Sequence, residues 1–186
     1  QPPFFSADAD DATNFGGIGM VIGHEIIHHF DDRGRQFDAV GNLSDWWTPL
    51  DAAAYKERAA KAAKLYSGFE ALPGQFVNGE LTLGENISDL GGIQIAYSGL
   101  QRALARSPSA KRADGLTPSQ AFFVNQALIW RSKYRQEFLV QMLRTDSHSP
   151  PPFRVKAPMA HFPAFATAFG CKPGDAMVAE PRLTVW

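Results

Sequence analysis

Leu90, Ile93, Tyr97, Leu100 and Leu104 step along the chain by three and four, the spacing of one buried helix face, and predict a helix from Glu85 to about residue 105. Thr117-Pro118-Ser119-Gln120 is a capping box with proline at the first helical position. It predicts a helix over about 118–140, through Phe122, Phe123, Leu128, Ile129, Trp130 and Phe138. Thr48-Pro49 opens in the same way, and the Ala/Lys/Glu-rich run to about Tyr66 has high helix propensity with a charged, exposed face. Thr13-Asn14 caps a further helix over about 13–32, in which Ile18, Val21 and Ile22 accompany His24, Glu25 and His28. Its glycines at 16, 17, 19 and 23 each cost about 0.5–1 kcal/mol relative to Ala, so tertiary packing or a metal has to hold it. A short helix is expected from Pro163 to Phe169. Strands are few: Gln36 to Leu43 suits a small hairpin around Val40-Gly41-Asn42. Pro, Ser, Gly and Asp gather in three loop-like stretches, Arg106 to Thr117, Asp146 to Pro158 and Cys171 to Pro181. The fold class that follows is mainly α with a minor β component.

At 186 residues and 45% hydrophobic composition, the chain is the size of one domain with a genuine core. Its 18 basic and 19 acidic residues nearly cancel and form no Lys/Arg stripe, which argues against a nucleic-acid partner and for small molecules or peptides. Apolar runs such as Phe15 to Ile22 fall far short of the roughly 20 residues a spanning helix needs, so no membrane segment is expected. The amino terminus, Gln-Pro-Pro-Phe-Phe-Ser, has neither an initiator Met nor the regions of a signal peptide, and reads as an internal piece of a longer chain. Cys171 is the only cysteine, which excludes an internal disulfide and a sulfur-based zinc site.

His24-Glu25-Ile26-Ile27-His28 puts two histidines at i and i+4 on one helical face, where both imidazoles reach one ion at about 2.0–2.1 Å. With 5 His and 7 Glu in the chain, the pattern arises by chance in roughly one chain of two hundred, so a zinc site is the stronger reading. Glu25, beside the ion, has the general-base role: it takes the proton from a zinc-bound water attacking a carbonyl, then delivers it to the leaving amine. A catalytic zinc takes three protein ligands, and Gly84-Glu85-Asn86-Ile87-Ser88-Asp89 offers two carboxylates four residues apart on one helix face. Glu85 is the candidate third ligand, and Asp89 the group that hydrogen-bonds a ligating imidazole and sets its tautomer. An acidic helix start favoured by the macrodipole would look the same without the zinc motif.

Taken together, Gly16-Gly-Ile-Gly-Met-Val-Ile-Gly-His-Glu-Ile-Ile-His-His-Phe-Asp-Asp, Asp45-Trp46-Trp47, Gly84-Glu-Asn-Ile-Ser-Asp-Leu-Gly-Gly, Thr145-Asp-Ser-His-Ser-Pro and the terminal Val185-Trp186 resemble the neprilysin family nearly end to end. The resemblance implies the carboxy-terminal part of a thermolysin-like metallopeptidase catalytic domain, with one zinc held by His24, His28 and Glu85, Glu25 as catalytic carboxylate and Asp89 as orienting group. It implies that His148 stabilises the tetrahedral oxyanion and that Arg154, in a His/Arg loop at 145–158, holds a substrate backbone carbonyl. Asp146, two residues before His148, suits the orientation of that ring. Taken alone, His148 reads more readily as an ordinary histidine in a Ser/Pro-rich loop, and the resemblance reverses that reading. The resemblance further implies that Phe4, Met20, Val21, Ile129 and Trp130 line an apolar pocket for the residue after the cleaved bond; for Ile129, core packing accounts for the residue equally well. His29 lies about 100° around the helix from His28 and reads as a packing or surface residue, and His161 as structural.

The family carries an Asn-Ala-Tyr-type substrate-binding strand just before the Gln1-Pro2-Pro3 stretch, and a large helical domain farther upstream. Neither is in this chain. Its end, Leu183-Thr-Val-Trp with a single Cys171, differs from the disulfide-bonded Cys-x-x-Trp end of animal members and points to a bacterial-type protein. Members of the family mostly work outside the cytoplasm and some bacterial ones inside it, so the resemblance implies an extracytoplasmic place as the first expectation. The function expected is a zinc endopeptidase that cleaves oligopeptides on the amino side of hydrophobic residues. The alternative is a zinc-binding or interaction module, inactive without the missing amino-terminal part of the same protein.

Overall fold

The computed structural model describes residues 1–107 and 112–185, and is mainly α with one small two-stranded sheet. Trp186 and part of the loop expected over Arg106 to Thr117 lie outside the described residues. The first helical run starts at α1 (Asp11–Asn14), widens into a π-helical turn (Phe15–Gly19), continues as α2 (Met20–Ile27) and tightens into a 3-10 turn (His28–Phe30). Its cap is Asp10, whose carboxylate accepts from the Thr13 backbone, and not Thr13-Asn14. Asn14 instead bonds the Ser6 backbone and secures the segment before the helix.

Helix α3 (Pro49–Ser67) is capped by Thr48 and buries Tyr55, Ala59, Ala62, Ala63 and Tyr66. The sheet that follows, β1 (Glu70–Leu72) with β2 (Gln75–Phe76), turns on Pro73-Gly74, where Gly74 has φ +71°. The hairpin expected over Gln36 to Leu43 forms only an isolated bridge between Phe37 and Leu43. Asp38 accepts the backbone N–H groups of Val40 and Asn42 there and closes a turn instead of extending a ladder.

Helix α4 (Leu83–Arg106) is the central element. Leu83, Ile87 and Leu90 join one apolar cluster with α3 and Ile27, while Ile93, Ala96 and Leu100 join a second with Met20, Phe122 and Phe123. Helix α5 (Pro118–Ile129) has the expected Thr117/Gln120 capping box but stops at Ile129, and α6 (Gln136–Thr145) is a separate helix. The expected helix over 118–140 is thus broken, because Arg131-Ser-Lys-Tyr-Arg135 offers no apolar face to bury and is exposed throughout.

Helix α7 (Pro151–His161) occupies most of what reads as a loop at 145–158, and α8 (Pro163–Phe169) follows as expected. Prolines 151 and 152 fall in the first turn, where backbone N–H groups have no intrahelical acceptor and proline costs nothing. Pro158 lies inside the helix and frees the Arg154 carbonyl, which the buried Gln126 amide approaches at 3.5 Å. His161 accepts the Leu183 backbone N–H at 2.8 Å and pins the carboxy-terminal segment.

The decisive packing is α2 against α4. A Cβ on Gly92 would stand 2.6 Å from the His24 nitrogen, and one on Gly23 would stand 2.6 Å from the Gly92 carbonyl. Only paired glycines let the two backbones come this close, and the approach carries His24 and His28 up to the first turns of α4. Gly92→Ala is expected to destabilise the chain by about 1–3 kcal/mol through forced separation. The check is a denaturant midpoint, with exposed Ser98→Ala on the same helix expected to stay within about 0.5 kcal/mol of the parent.

Candidate metal centre

Helix α2 and the 3-10 turn that continues it present His24 and His28 on one face, and their rings meet edge to face with centroids 4.6 Å apart. The first turn of α4 brings Glu85 against them: His24 Nε2 lies 3.1 Å from Glu85 Oε2, and His28 Nε2 lies 3.5 Å from Oε1. Donor atoms of these three residues all fall within 4.8 Å of one another, the only such group among the described residues.

The protons decide whether a cation fits. His24 Nδ1 faces Asp89 Oδ1 at 2.8 Å and His28 Nδ1 faces Asp31 Oδ2 at 2.6 Å; a carboxylate only accepts, so both Nδ1 atoms carry hydrogen. In the neutral rings both Nε2 atoms are then bare, yet they stand 3.0 Å apart and face a carboxylate. Lone pairs converging on one point call for a positive charge between them. The same demand appears in the electrostatics of these side chains. Burial opposes a charge on His24, but its bonds to Asp89 and Glu85 outweigh burial and hold the imidazole up at about 9. His28 is raised as well, by its bond to Asp31 against the effect of burial. Burial would raise the Glu85 carboxyl, yet the bond from His24 and the charges of His148 and Arg154 hold it below the usual range. The donor set, two imidazoles and a carboxylate, is one that zinc takes.

Around this group the structure gathers most of the other expected residues. Asp89 is fully buried and bound by Arg154 through Nε at 2.7 Å and Nη2 at 2.9 Å. Arg154 Nη2 also lies 3.5 Å from Glu85, and the guanidinium stacks 4.1 Å from the centre of the Trp130 ring. The break after α5 is what turns Trp130 onto it. His148 reaches Glu85 Oε2 with Nε2 at 3.2 Å, and its Nδ1 is held by Asp146 at 2.7 Å. Glu25 is exposed on α2, and His29 is exposed in the 3-10 turn that follows it.

The residues expected to line a pocket are less uniform. Phe4 is 38% exposed and tied to the π-helical turn, its carbonyl accepting the Ile18 N–H at 2.7 Å. Val21 and Ile129 are half-buried. Met20 is not on that surface: it is 1% exposed, packed with Ile93 and Phe122 in the second apolar cluster. Arg154 sits on helix α7, not on a loop, and only 5% of it is exposed.

Two residues around His28 escaped the sequence reading. Asp31, besides its bond to His28, accepts the N–H groups of Arg33 and Gly34. Ser88 Oγ lies 3.1 Å from the same His28 nitrogen. The signal for Asp31 was its position three residues after His28, where a helical neighbour reaches back.

Comparison with known proteins places the whole chain. Mouse membrane metallo-endopeptidase-like 1 is 46% identical over 190 residues, covering all of this chain and 25% of that protein. Human neprilysin is 43% identical with the same coverage. The inhibitor complex of Mycobacterium tuberculosis zinc metalloprotease Zmp1 superimposes on the whole chain and 29% of its own with a TM-score of 0.95 at 42% identity. PepO from Lactobacillus rhamnosis does so over 28% of its length with a TM-score of 0.87 at 39% identity. The chain thus spans about a quarter of the length of the curated relatives it matches. The family profile matches residues 1–185, and the chain belongs to peptidase family M13, the neprilysin family.

Proposed function

We propose that this chain is the metal-binding part of a zinc-dependent endopeptidase acting on oligopeptides, with zinc held by His24, His28 and Glu85. The observation that carries the reading is that the two imidazole Nε2 atoms and a carboxylate face one point, each imidazole fixed from behind by its own carboxylate. When bound, zinc supplies Lewis acidity, drawing electron density from water and from the scissile carbonyl.

The side chains around the ion have separable tasks. Glu25, next to His24 and exposed, takes the proton of the attacking water and passes it to the leaving amine. His148, its ring oriented by Asp146, donates to the oxygen on which negative charge develops. Arg154 keeps Asp89 ionised through Nε and Nη2, leaving Nη1 as the nitrogen for a substrate carbonyl. Phe4, Val21, Ile129 and Trp130 form the apolar side against which a large residue after the cleaved bond would pack, which favours cleavage on the amino side of hydrophobic residues. The placement outside the cytoplasm expected from the resemblance belongs to the same proposal; no helix among the described residues is long and apolar enough to cross a membrane.

A second reading has one observation in its favour. Because the chain spans about a quarter of its relatives' length, it can bind zinc while lacking part of the peptide site. Metal binding by the 186-residue chain with peptidase activity confined to the full-length protein is the outcome that reading requires.

In the full-length protein, assayed on a fluorogenic peptide with a hydrophobic residue after the scissile bond, Glu25→Gln is expected to lower kcat by about 10²–10⁴. Zinc content should stay at one per chain, and a chelator should abolish the parent's activity. Activity that survives both treatments would refute the assignment. Asp31→Asn tests the metal site apart from turnover. The amide would donate to His28 Nδ1, force the ring proton onto Nε2 and remove a ligand atom, so zinc affinity should fall about 10–100-fold in competition with a chromogenic chelator.

A further inference from the structure

One buried polar chain lies beside the group of candidate ligands without touching the ion's position. The Ser149 hydroxyl donates to Asn86 Oδ1 at 2.7 Å, the Asn86 amide donates to Thr82 Oγ1 at 2.8 Å, and the Thr82 hydroxyl donates to the Asn78 carbonyl at 2.9 Å. Ser149, Asn86 and Thr82 are 1%, 0% and 3% exposed. The order of donors is forced from its far end. The Thr82 proton goes to a backbone carbonyl, so Thr82 Oγ1 is left to accept from the Asn86 amide, which turns the Asn86 oxygen toward Ser149. Thr82 stands at the N-cap of α4 yet makes no capping bond with its side chain, because its hydroxyl is engaged in this chain.

The positions of its two ends matter. Asn86 directly follows Glu85, and Ser149 directly follows His148. The His148 side chain is 46% exposed, and its ring contacts are Asp146 and Glu85. Asp146 lies on the same short loop, so it turns the ring but cannot fix the loop against α4. The Ser149–Asn86 bond does that, and no water reaches it to compete.

We propose that Ser149 and Asn86 are positioning residues whose buried hydrogen bond sets His148 at its working distance from Glu85 and from the oxygen of a reacting peptide. This rests on the endopeptidase reading above. Neither residue meets substrate. They act through His148, and a displacement of about 1 Å there is enough to cost about 10²-fold in rate.

The test is a double-mutant cycle in the full-length protein with Ser149→Ala, His148→Ala and their combination, measuring kcat, KM, zinc content and affinity for a phosphinic peptide that mimics the tetrahedral species. Ser149→Ala should lower kcat at least about tenfold and weaken the phosphinic peptide in parallel, with KM and zinc content within about twofold. Ser149→Thr, which keeps the hydroxyl, should recover most of the loss. On the His148→Ala background, Ser149→Ala should change kcat by less than about twofold, since the group it positions is gone. An equal loss on both backgrounds, or no loss on the parent, would overturn the proposal. Ser149→Cys, of similar size with a weak donor, takes the place of Ser149→Ala in the same cycle if the alanine variant does not fold. Failure of the underlying reading is distinct: Glu25→Gln would then remain active, whereas a dead Glu25→Gln beside an unaffected Ser149→Ala overturns the clamp alone.

Discussion

Asp89 is a carboxylate with no access to water, and the site is arranged around keeping it charged. Burying such an ion costs several kcal/mol, and only close partners offset it. Arg154 provides a two-pronged bond from α7, and His24 provides an N–H from α2. Burial pushes the Asp89 carboxyl up, but the Arg154 charge and the bond from His24 outweigh it and hold it below the usual range. Three helices distant in sequence are thereby fastened to one pair of oxygens, and none can shift alone without stranding a buried charge.

The fastening also has a direction. Because Asp89 takes the Nδ1 proton of His24 and Asp31 takes that of His28, both imidazoles are compelled to turn their other nitrogen inward. The backbone makes this possible before any side chain acts: Gly23 and Gly92 admit an approach that a single methyl group would block. Apolar packing supplies the remainder, with α4 dividing its buried apolar residues between two clusters and burying the polar Asn86, Ser88 and Asp89 in its first turns.

Much of this was legible in the residues. The capping box at Thr117, the Thr48-Pro49 start and the step of three and four in α4 are local signals, and local signals locate helices well. The convergence of His24, His28 and Glu85 followed from helix geometry together with the needs of a tetrahedral ion. The failures also have causes. Prolines 150 to 152 read as a loop because proline frequency says nothing of whether its missing N–H falls in a first turn. Met20 was assigned to a pocket by analogy, whereas its burial depends on Phe122 and Ile93, contacts that no pattern within its own helix reveals. Asp31 was visible at helical spacing from His28, but Asp31 and Asp32 are equivalent until backbone geometry shows which of them turns inward.

The π-helical turn at Phe15–Gly19 has a consequence for chain length. Such a turn is an α-helix with one residue inserted, and here it joins a part that packs on Phe122 through Gly16 to a part that packs on Gly92 through Gly23. The wide turn takes up that residue without rotating the helix beyond it, whereas one residue more in the α-helical part between it and Gly23 would turn Gly23 about 100° away from Gly92 and slide it about 1.5 Å. The spacing from that turn to Gly23 is therefore a phase setting that must be kept to the residue, while the exposed stretch at 131–135 has no such register to keep and is where length can vary.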